Sequence, residues 1–316
     1  MANESTKLGI SFAHDKIRFI EVEDVADRQK LIGISEVQIP QVFDFSVIGD
    51  QTLVPQFADI IQKELENLQC KTPIARVSLD NRLAIKKTFA VDKELSQDDI
   101  RGHVEWELEQ MLVAPRHEYN VGFEHNKISR AKSNIVIFAA IRKAIVKYIQ
   151  DIFSKGDLSL QALDLDTFAS IRALNHAYAD KLKDVCALVD VGHSNVVYTL
   201  LVDGIYAFSK EGTHIKNAEQ IKDMPAEELA AIAHEELQKL LESLEENLKI
   251  SSLDRVYLAG DLGTDIIAQE LEKLQYPTIV SLAEPFNNIQ QQLNIDSQML
   301  IAKMAARFMP CFGMVL

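Results

Sequence analysis

The sequence predicts an α/β protein with two similar halves that face each other across a ligand-binding cleft. Strand-like apolar segments alternate with amphipathic helices over 316 residues, a length that can form two domains. The early segment KLGISFAHDKIRF has the same pattern as CALVDVGHSNVVY in the middle of the chain: apolar strand, short polar turn, apolar strand. Two halves that open with the same hairpin imply two similar domains, and the space between them is a natural ligand site.

The first half is predicted to begin with three strands and to continue with helices and further strands. Alternating apolar residues indicate strands in KLGISFAHDKIRFIEVED, LIGISEVQIP, IARVSLD, LAIKKTFAV, YNVGFEHN, SNIVIFAAI and LSLQALDL. Helical spacing marks LVPQFADIIQKELENL, SQDDIRGHVEWELEQML, RKAIVKYIQDIFSKGD and DTFASIRALNHAYAD. Ser96 is placed to cap the second helix, and Gly156 to end the third.

The second half repeats this plan. Strands are predicted for VCALVDV, NVVYTLLV and IYAFSKEG, and Asp203-Gly204 is a strong signal for a hairpin turn. A leucine stripe predicts a long amphipathic helix from about Pro225 to Lys249. RVYLAGDLG is a strand that runs into a glycine turn, PTIVSL is another strand, and MLIAKMAARFMPCFGMVL is an apolar helical stretch.

Composition excludes several classes of function. The net charge is −14 and no run of Lys or Arg stands out, so a nucleic-acid partner is not expected. No apolar window approaches the length of a membrane span, and the start of the chain lacks a signal-peptide pattern. Three widely spaced cysteines argue against a disulfide framework or a metal site. The chain is therefore expected in the cytoplasm, with membrane contact only through a partner.

The turn DVGHSN is the first candidate site. Asp190 ends a buried strand, where its carboxylate can hold a hydrated metal ion. Gly192 lets the backbone turn tightly and approach a phosphate, while Ser194, Asn195 and backbone N–H groups can donate to phosphate oxygens. An ordinary β-turn is the alternative, since all these residue types form turns.

The turn LAGDLG is the second candidate. A glycine turn between a strand and a helix can pass under a nucleotide base or ribose, and the helix N-terminus that follows favours anions. Gly260, Asp261 and Gly263 occupy this turn. A tight connection without a ligand is again the alternative.

In this order the segments resemble the actin and sugar-kinase ATPase superfamily. LGISFAHDKIR stands where the first phosphate loop of that superfamily lies, LVDVGHSN resembles the second loop, VYLAGDLG the adenosine turn, and DLDTFASIRAL the connecting helix. The chain is most similar to the type IV pilus assembly protein PilM family, related to FtsA. The likeness lies in ELSQDDIRGHVEWELEQMLVAPRHEYNVGFE, LDLDTFASIRAL, the DVGHSN hairpin and the ending RFMPCFGMVL.

The resemblance implies an actin-like (ribonuclease H-like) two-domain ATPase fold with an inserted subdomain. The first domain is expected over residues 1–180, with the insertion at about 75–141. The second domain is expected over residues 181–316, with its last helix packing back toward the first.

The resemblance also implies ATP or ADP with magnesium as the ligand, and it names the residues that would hold it. The nucleotide-binding set is Ser11, Ala13, Arg18, Asp190, Gly192, Ser194, Asn195, Gly260, Asp261 and Gly263, with Asp190 as the metal ligand and no catalytic residue assigned. Ser11 and Ala13 replace an Asp and a Gly of the family, and Gly260-Asp261 replaces paired glycines. These departures argue against hydrolysis and leave nucleotide binding open.

The function implied is that of a cytoplasmic scaffold in a type IV pilus or related secretion machine, peripheral to the inner membrane. Its partner would be the cytoplasmic tail of an inner-membrane, PilN-like protein, held in a groove between the first domain and its insertion. A nucleotide switch or ATPase that self-assembles in the manner of FtsA is the alternative. A sugar- or acetate-kinase relative is a third hypothesis, but no general base is identified for it.

Trp106, the single tryptophan, lies on the helix SQDDIRGHVEWELEQML. Core packing is its expected role, and a partner-binding anchor is the alternative. Glu105, Glu107 and Glu109 alternate on the same helix and cannot share one face, so all three are expected on the solvated surface.

Overall fold

The computed structural model describes residues 6–25, 28–70, 72–129, 131–179, 184–193, 195–212, 221 and 223–316. The chain forms two compact units. Unit 1 consists of Met1–Ala84, Ile141–Ala177 and Glu284–Leu316, and unit 2 of Ile85–Ala140 and Tyr178–Ala283.

Unit 1 contains a six-stranded sheet with the order β14-β3-β2-β1-β4-β8. Its strands are β1 (Thr6–Ala13), β2 (Lys16–Val25), β3 (Arg28–Gln38), β4 (Ile74–Leu79), β8 (Ser159–Leu165) and β14 (Gln290–Gln291). The first three are antiparallel neighbours joined by short turns, whereas β4 pairs with β1, and β8 with β4, in parallel. Parallel pairing requires crossover connections, and helices supply them.

The helices of unit 1 are α1 (Val54–Asn67), α3 (Lys143–Lys155), α4 (Asp166–Ala177), α7 (Ile295–Met304) and α8 (Met309–Gly313). Apolar side chains of α1 and α3, among them Phe57 and Phe153, pack with Phe12 and Phe19 of the hairpin in one buried cluster. α8 packs against α4 and β1, and its backbone closely approaches theirs. A Cβ atom on Gly9 of β1 would overlap the carbonyl oxygen of Cys311, so glycine permits this close approach.

Unit 2 contains a five-stranded sheet with the order β11-β10-β9-β12-β13. Its strands are β9 (Val185–Val191), β10 (Val196–Val202), β11 (Ile205–Glu211), β12 (Arg255–Ala259) and β13 (Ile279–Leu282), and its long helices are α5 (Ala226–Leu248) and α6 (Asp265–Gln275). This order repeats the order β3-β2-β1-β4-β8 of unit 1, with a leading antiparallel hairpin and two parallel strands in each. The predicted internal repeat is therefore present in the topology.

A small lobe, residues 85–140, completes unit 2. It has a three-stranded sheet of order β5-β7-β6, made of β5 (Ala84–Val91), β7 (Asn134–Arg142) and β6 (Tyr119–Asn126), with α2 (Gln97–Met111) packed on it. Tyr206 of β11 ties this lobe to the larger sheet. Its hydroxyl lies 2.8 Å from Thr88 Oγ1, and its carbonyl accepts from Asn126 Nδ2 at 3.1 Å.

These units divide the chain differently from the expected domains. Residues 74–79 form β4 in the sheet of unit 1, so the lobe begins near residue 85 and not near 75. Residues 284–316 belong to unit 1, because β14 pairs with β3 and α8 packs on β1.

Most predicted elements are present, and three local expectations fail. The apolar C-terminal stretch is interrupted between α7 and α8 by a 3₁₀ turn at Ala305–Phe308. Trp106 is 57% exposed and lies outside the core. Glu107 is buried instead of solvated, because it forms an ion pair with Lys87 of β5. Ser96 does cap α2 by accepting from the Asp99 backbone N–H, and Gly156 ends α3.

Within the described ranges, no helix combines the length and apolar character needed to cross a membrane.

Candidate functional site

The two turns singled out in the second half lie side by side in unit 2. β12 pairs in parallel with β9, which places Ala259 next to Asp190. The Leu262 backbone N–H then donates to the Val191 carbonyl at 2.9 Å, which fixes one turn against the other. The carboxyl ends of neighbouring parallel strands are the usual position of ligand sites in α/β sheets.

Gly260 makes the closest contact between the two turns. Its φ of +88° lies in the left-handed region that side chains avoid. A Cβ atom there would overlap Asp190 Oδ1 and would lie 2.7 Å from the Val191 backbone nitrogen. The Asp190 carboxylate can occupy its place beside the turn only because residue 260 has no side chain.

Other residues of these turns stabilise the turns themselves. The Gly192 N–H donates to the Asn195 carbonyl at 3.0 Å and closes the β9–β10 hairpin. Gly263 approaches the Ala259 carbonyl, and Thr264 Oγ1 accepts from the Ile267 N–H as the N-cap of α6. Ser194 lies outside the described residues.

Asp261 introduces a buried negative charge at this position. The residue is only 7% exposed, and its Oδ2 lies 3.5 Å from His193 Nε2. When His193 is protonated, the pair is ionic and offsets the charge of the carboxylate. His193 and Asp261 thus join the two turns by a side-chain contact that sequence reasoning did not predict.

The residues predicted for the first loop lie in unit 1, on the β1–β2 hairpin. Cross-strand pairing aligns Ser11 with Arg18 on one side and with Ser78 on the other, and it aligns Ser78 with Asp164. Arg18 is aligned with Glu36. A row of polar residues therefore crosses the sheet. Ala13, at the end of β1, pairs with Lys16 across the turn.

Arg18 is buried and binds groups of its own unit. Its Nε donates to Glu36 Oε2 at 2.7 Å, and its Nη1 donates to the Arg307 carbonyl at 3.1 Å. The guanidinium also lies over the Phe308 ring, 5.7 Å from the centroid. Burial raises the pKa of Glu36, but the charge of Arg18 and hydrogen bonds from Lys16 and Arg18 outweigh it, so the pKa is lowered.

Ser11 is 1% exposed, and its hydroxyl, like that of Ser78, is buried with no hydrogen-bond partner among the described atoms. A neutral hydroxyl does not balance the charge of a metal ion as an ionised carboxylate does. The unit 1 residues therefore fit a magnesium nucleotide less well than the unit 2 residues do.

A metal ion at Asp190 would depend on other ligands. In the part of the chain that the structure describes, no group of three or more His, Cys, Asp or Glu side chains is placed to hold one. Mg²⁺ commonly takes one or two carboxylates, with phosphates and water completing its shell. A single carboxylate beside a glycine turn fits that pattern. A magnesium ion bound there would orient the phosphates and neutralise part of their charge.

Two sheets that share one strand order, each led by a hairpin, with a glycine turn beside the second hairpin, are typical of an actin-like fold. A Bacteroides thetaiotaomicron protein described as having an actin-like ATPase fold matches with a TM-score of 0.50 at 14% identity, covering 95% of this chain and 96% of the other. The family model of the type IV pilus assembly protein PilM matches residues 9–224. The chain belongs to the type IV pilus assembly protein PilM family.

A solved structure described as a PilM-PilN type IV pilus biogenesis complex is also similar. It matches with a TM-score of 0.75 at 17% identity, covering 98% of this chain and 97% of the other. Both likenesses extend over nearly the whole chain, so the fold expected from the sequence is confirmed.

Proposed function

We propose that this chain is a scaffold of a type IV pilus or related secretion machine that binds the cytoplasmic tail of a PilN-like inner-membrane protein. The observation that carries the proposal is the family match over residues 9–224. The similarity over 98% of the chain to a structure whose description names PilN supports the choice of partner. The protein would then be cytoplasmic and held at the inner membrane through that partner.

The lobe at residues 85–140 offers features suited to an extended peptide. β5 and β6 are the outer strands of its three-stranded sheet, and an outer strand can add a peptide through main-chain hydrogen bonds. Phe89, His103 and Trp106 form a row of ring contacts at centroid distances of 4.6 and 6.2 Å. An exposed tryptophan in such a row is a typical anchor for a partner.

The test is a calorimetric titration with a synthetic peptide of the cytoplasmic tail of the PilN-like protein from the same organism. We expect saturable binding, no binding of a scrambled peptide, and a change in the fluorescence of Trp106. Because Trp106 is the single tryptophan, its emission reports on the lobe alone. Absence of binding at peptide concentrations of about 1 mM would contradict the proposal, since specific contacts of this kind are tighter.

We further infer that the two turns of unit 2 bind ATP or ADP with magnesium, without rapid hydrolysis. The fit of the Asp190 carboxylate beside Gly260 supports binding. Ser11, a neutral residue at the position of a family aspartate, and the buried Asp261 argue against catalysis. Titration with Mg·ATP tests the binding, and phosphate release tests the turnover.

A matched pair of glycine variants makes the nucleotide test specific. Gly260→Ala should abolish binding, because a methyl group there overlaps Asp190 and strains the turn. Gly102→Ala, with nothing within 4 Å of the added methyl group, should leave binding unchanged. Equal affinities for the two variants would place the nucleotide elsewhere.

A further inference from the structure

α7 is apolar on two faces, and only one of them is covered. On the face toward the sheet of unit 1, Ser297 Oγ donates to the carbonyl of Ile34 in β3 at 3.1 Å. Three apolar residues on this face are partly buried: Leu300, Ile301 and Met304. On the opposite side Ile295 is 75% exposed, Met299 is 53% exposed, and Ala302 is also exposed. Their spacing of four and three residues aligns them in one stripe along the helix.

One acidic and one basic side chain border this stripe. Asp296 and Lys303 are both exposed and are seven residues apart, so they lie on the same flank two turns apart. No ion pair to another side chain is found for either one in the described part of the chain. Asp296 lies near the beginning of the stripe and Lys303 near its end.

We propose that α7 is a self-association surface that packs antiparallel against α7 of a second copy of this chain. A two-fold axis close to Met299 places the two Met299 side chains together and sets each Ile295 against Ala302 of the other copy. The same axis brings Asp296 of each copy beside Lys303 of the other, on the same flank of the pair. The stripe is thus complementary to itself in size and in charge.

The apolar stripe provides the attraction, and the two ion pairs select the orientation. Methionine at the centre adapts to its neighbours, and a large residue opposite a small one allows close approach. Exposed ion pairs add little affinity, but like charges at the same positions oppose association. The helix has ten residues and only one of its faces is in the contact, which is therefore smaller than that of a stable dimer. The dimer is therefore weak and forms as the protein concentration rises.

The first experiment is sedimentation velocity of the full chain between about 10 µM and about 500 µM, a range that brackets a weak contact. We expect the weight-average sedimentation coefficient to rise with concentration toward that of a dimer. Met299→Glu, which places a charge at the centre of the stripe, should keep the protein monomeric throughout the range. A monomeric wild type overturns the proposal, and so does a dimer that persists in Met299→Glu.

Charge exchange provides the decisive test of geometry. Asp296→Lys brings lysine against lysine in a dimer, and Lys303→Glu brings acid against acid, so each variant alone should be monomeric. In a 1:1 mixture the two introduced side chains, one basic and one acidic, face each other. The native Asp296 of one chain then faces the native Lys303 of the other, and a mixed dimer should form. Each substitution also weakens α7 through the helix dipole. Recovery in the mixture cannot come from that effect, because neither chain regains its original sequence.

Glu272→Lys on α6 is the control, since it changes an exposed charge on another helix by the same amount. It should associate like the wild type. Thermal unfolding of every variant verifies that the chain is folded. A mixture that stays monomeric overturns the antiparallel arrangement, and association that appears only with another protein present shows that the stripe serves a different partner and overturns the proposal.

Discussion

Gly260 is the residue on which the geometry of the candidate site depends most directly. Its positive φ and its contact with the Asp190 carboxylate leave no room for a side chain. Gly260→Ala should lower the free energy of unfolding by about 2 kcal/mol or more, through strain and overlap. Gly102→Ala, in the middle of α2, should raise it by about 0.5–1 kcal/mol. Urea denaturation of the two variants checks the opposite signs.

Arg18, which was predicted to contact phosphate, forms an ion pair with Glu36 inside unit 1. Arg18→Met leaves Glu36 buried without its main counter-charge, so we expect a loss of about 3 kcal/mol in unfolding free energy. Adding Glu36→Gln to this variant should recover part of that loss, because it removes a charge that only Lys16 would still balance. Similar unfolding midpoints for the wild type and Arg18→Met would show that the pair contributes little.

At the scale of elements, the contact of α8 with α4 depends on a second glycine. A Cβ atom on Gly313 would overlap the backbone of Ala169 in α4. Gly313→Ala should therefore destabilise the protein by about 2–3 kcal/mol, because neither helix can shift freely in a close-packed interior. Gly122→Ala on β6, where nothing lies within 4 Å, should not destabilise the protein and should raise the free energy of unfolding by at most about 1 kcal/mol. Thermal unfolding compares the two.

Elements with a local signal were predictable, and long-range contacts were not. The Asp203-Gly204 turn has φ values of 54° and 75°, as expected for an Asp-Gly hairpin turn. Both leading hairpins were predicted from the alternation of apolar and polar residues. Trp106 and Glu107 were assigned to the wrong environments. For Glu107 the reason is its ion pair with Lys87, a residue 20 positions earlier in the chain. Arg18 binds a carbonyl 289 residues away, which no local pattern reveals. The candidate turns were found individually, whereas their contact through Gly260 follows from the parallel pairing of β9 and β12.

At the scale of the whole molecule, stability should fall with acid in two stages. Burial lowers the pKa of His176, and burial together with Lys127 lowers that of His125, so stability is present above 6.5 and decreases below it. Glu36 has a lowered pKa despite its burial, and the Ser46 and Thr52 side chains lower the pKa values of Asp44 and Asp50. Their contributions are present above the ordinary values of 4.5 and 3.8 and are lost as the pH falls through the lowered ones.

Urea denaturation at a series of pH values measures both stages. Glu36→Gln should reduce the slope between about pH 5 and pH 3, because this group no longer titrates. His176→Gln should reduce the slope near the ordinary histidine value of 6.5. Stability that rises on acidification would contradict the assignment of these groups.

The depth at which the C-terminal residues are buried affects the order in which the protein folds during synthesis. The Cys311 thiol donates to the Gly9 carbonyl across 302 residues, and residues 308–315 are buried in unit 1. Unit 2 ends at Ala283, so all of its residues are synthesised before those of α8. The β1–β2 hairpin, synthesised long before α8, therefore keeps its α8-facing surface uncovered until residues 308–315 have been made. A released chain truncated near residue 300 would contain every residue of unit 2 and an uncovered β1, which makes it a natural client for a chaperone.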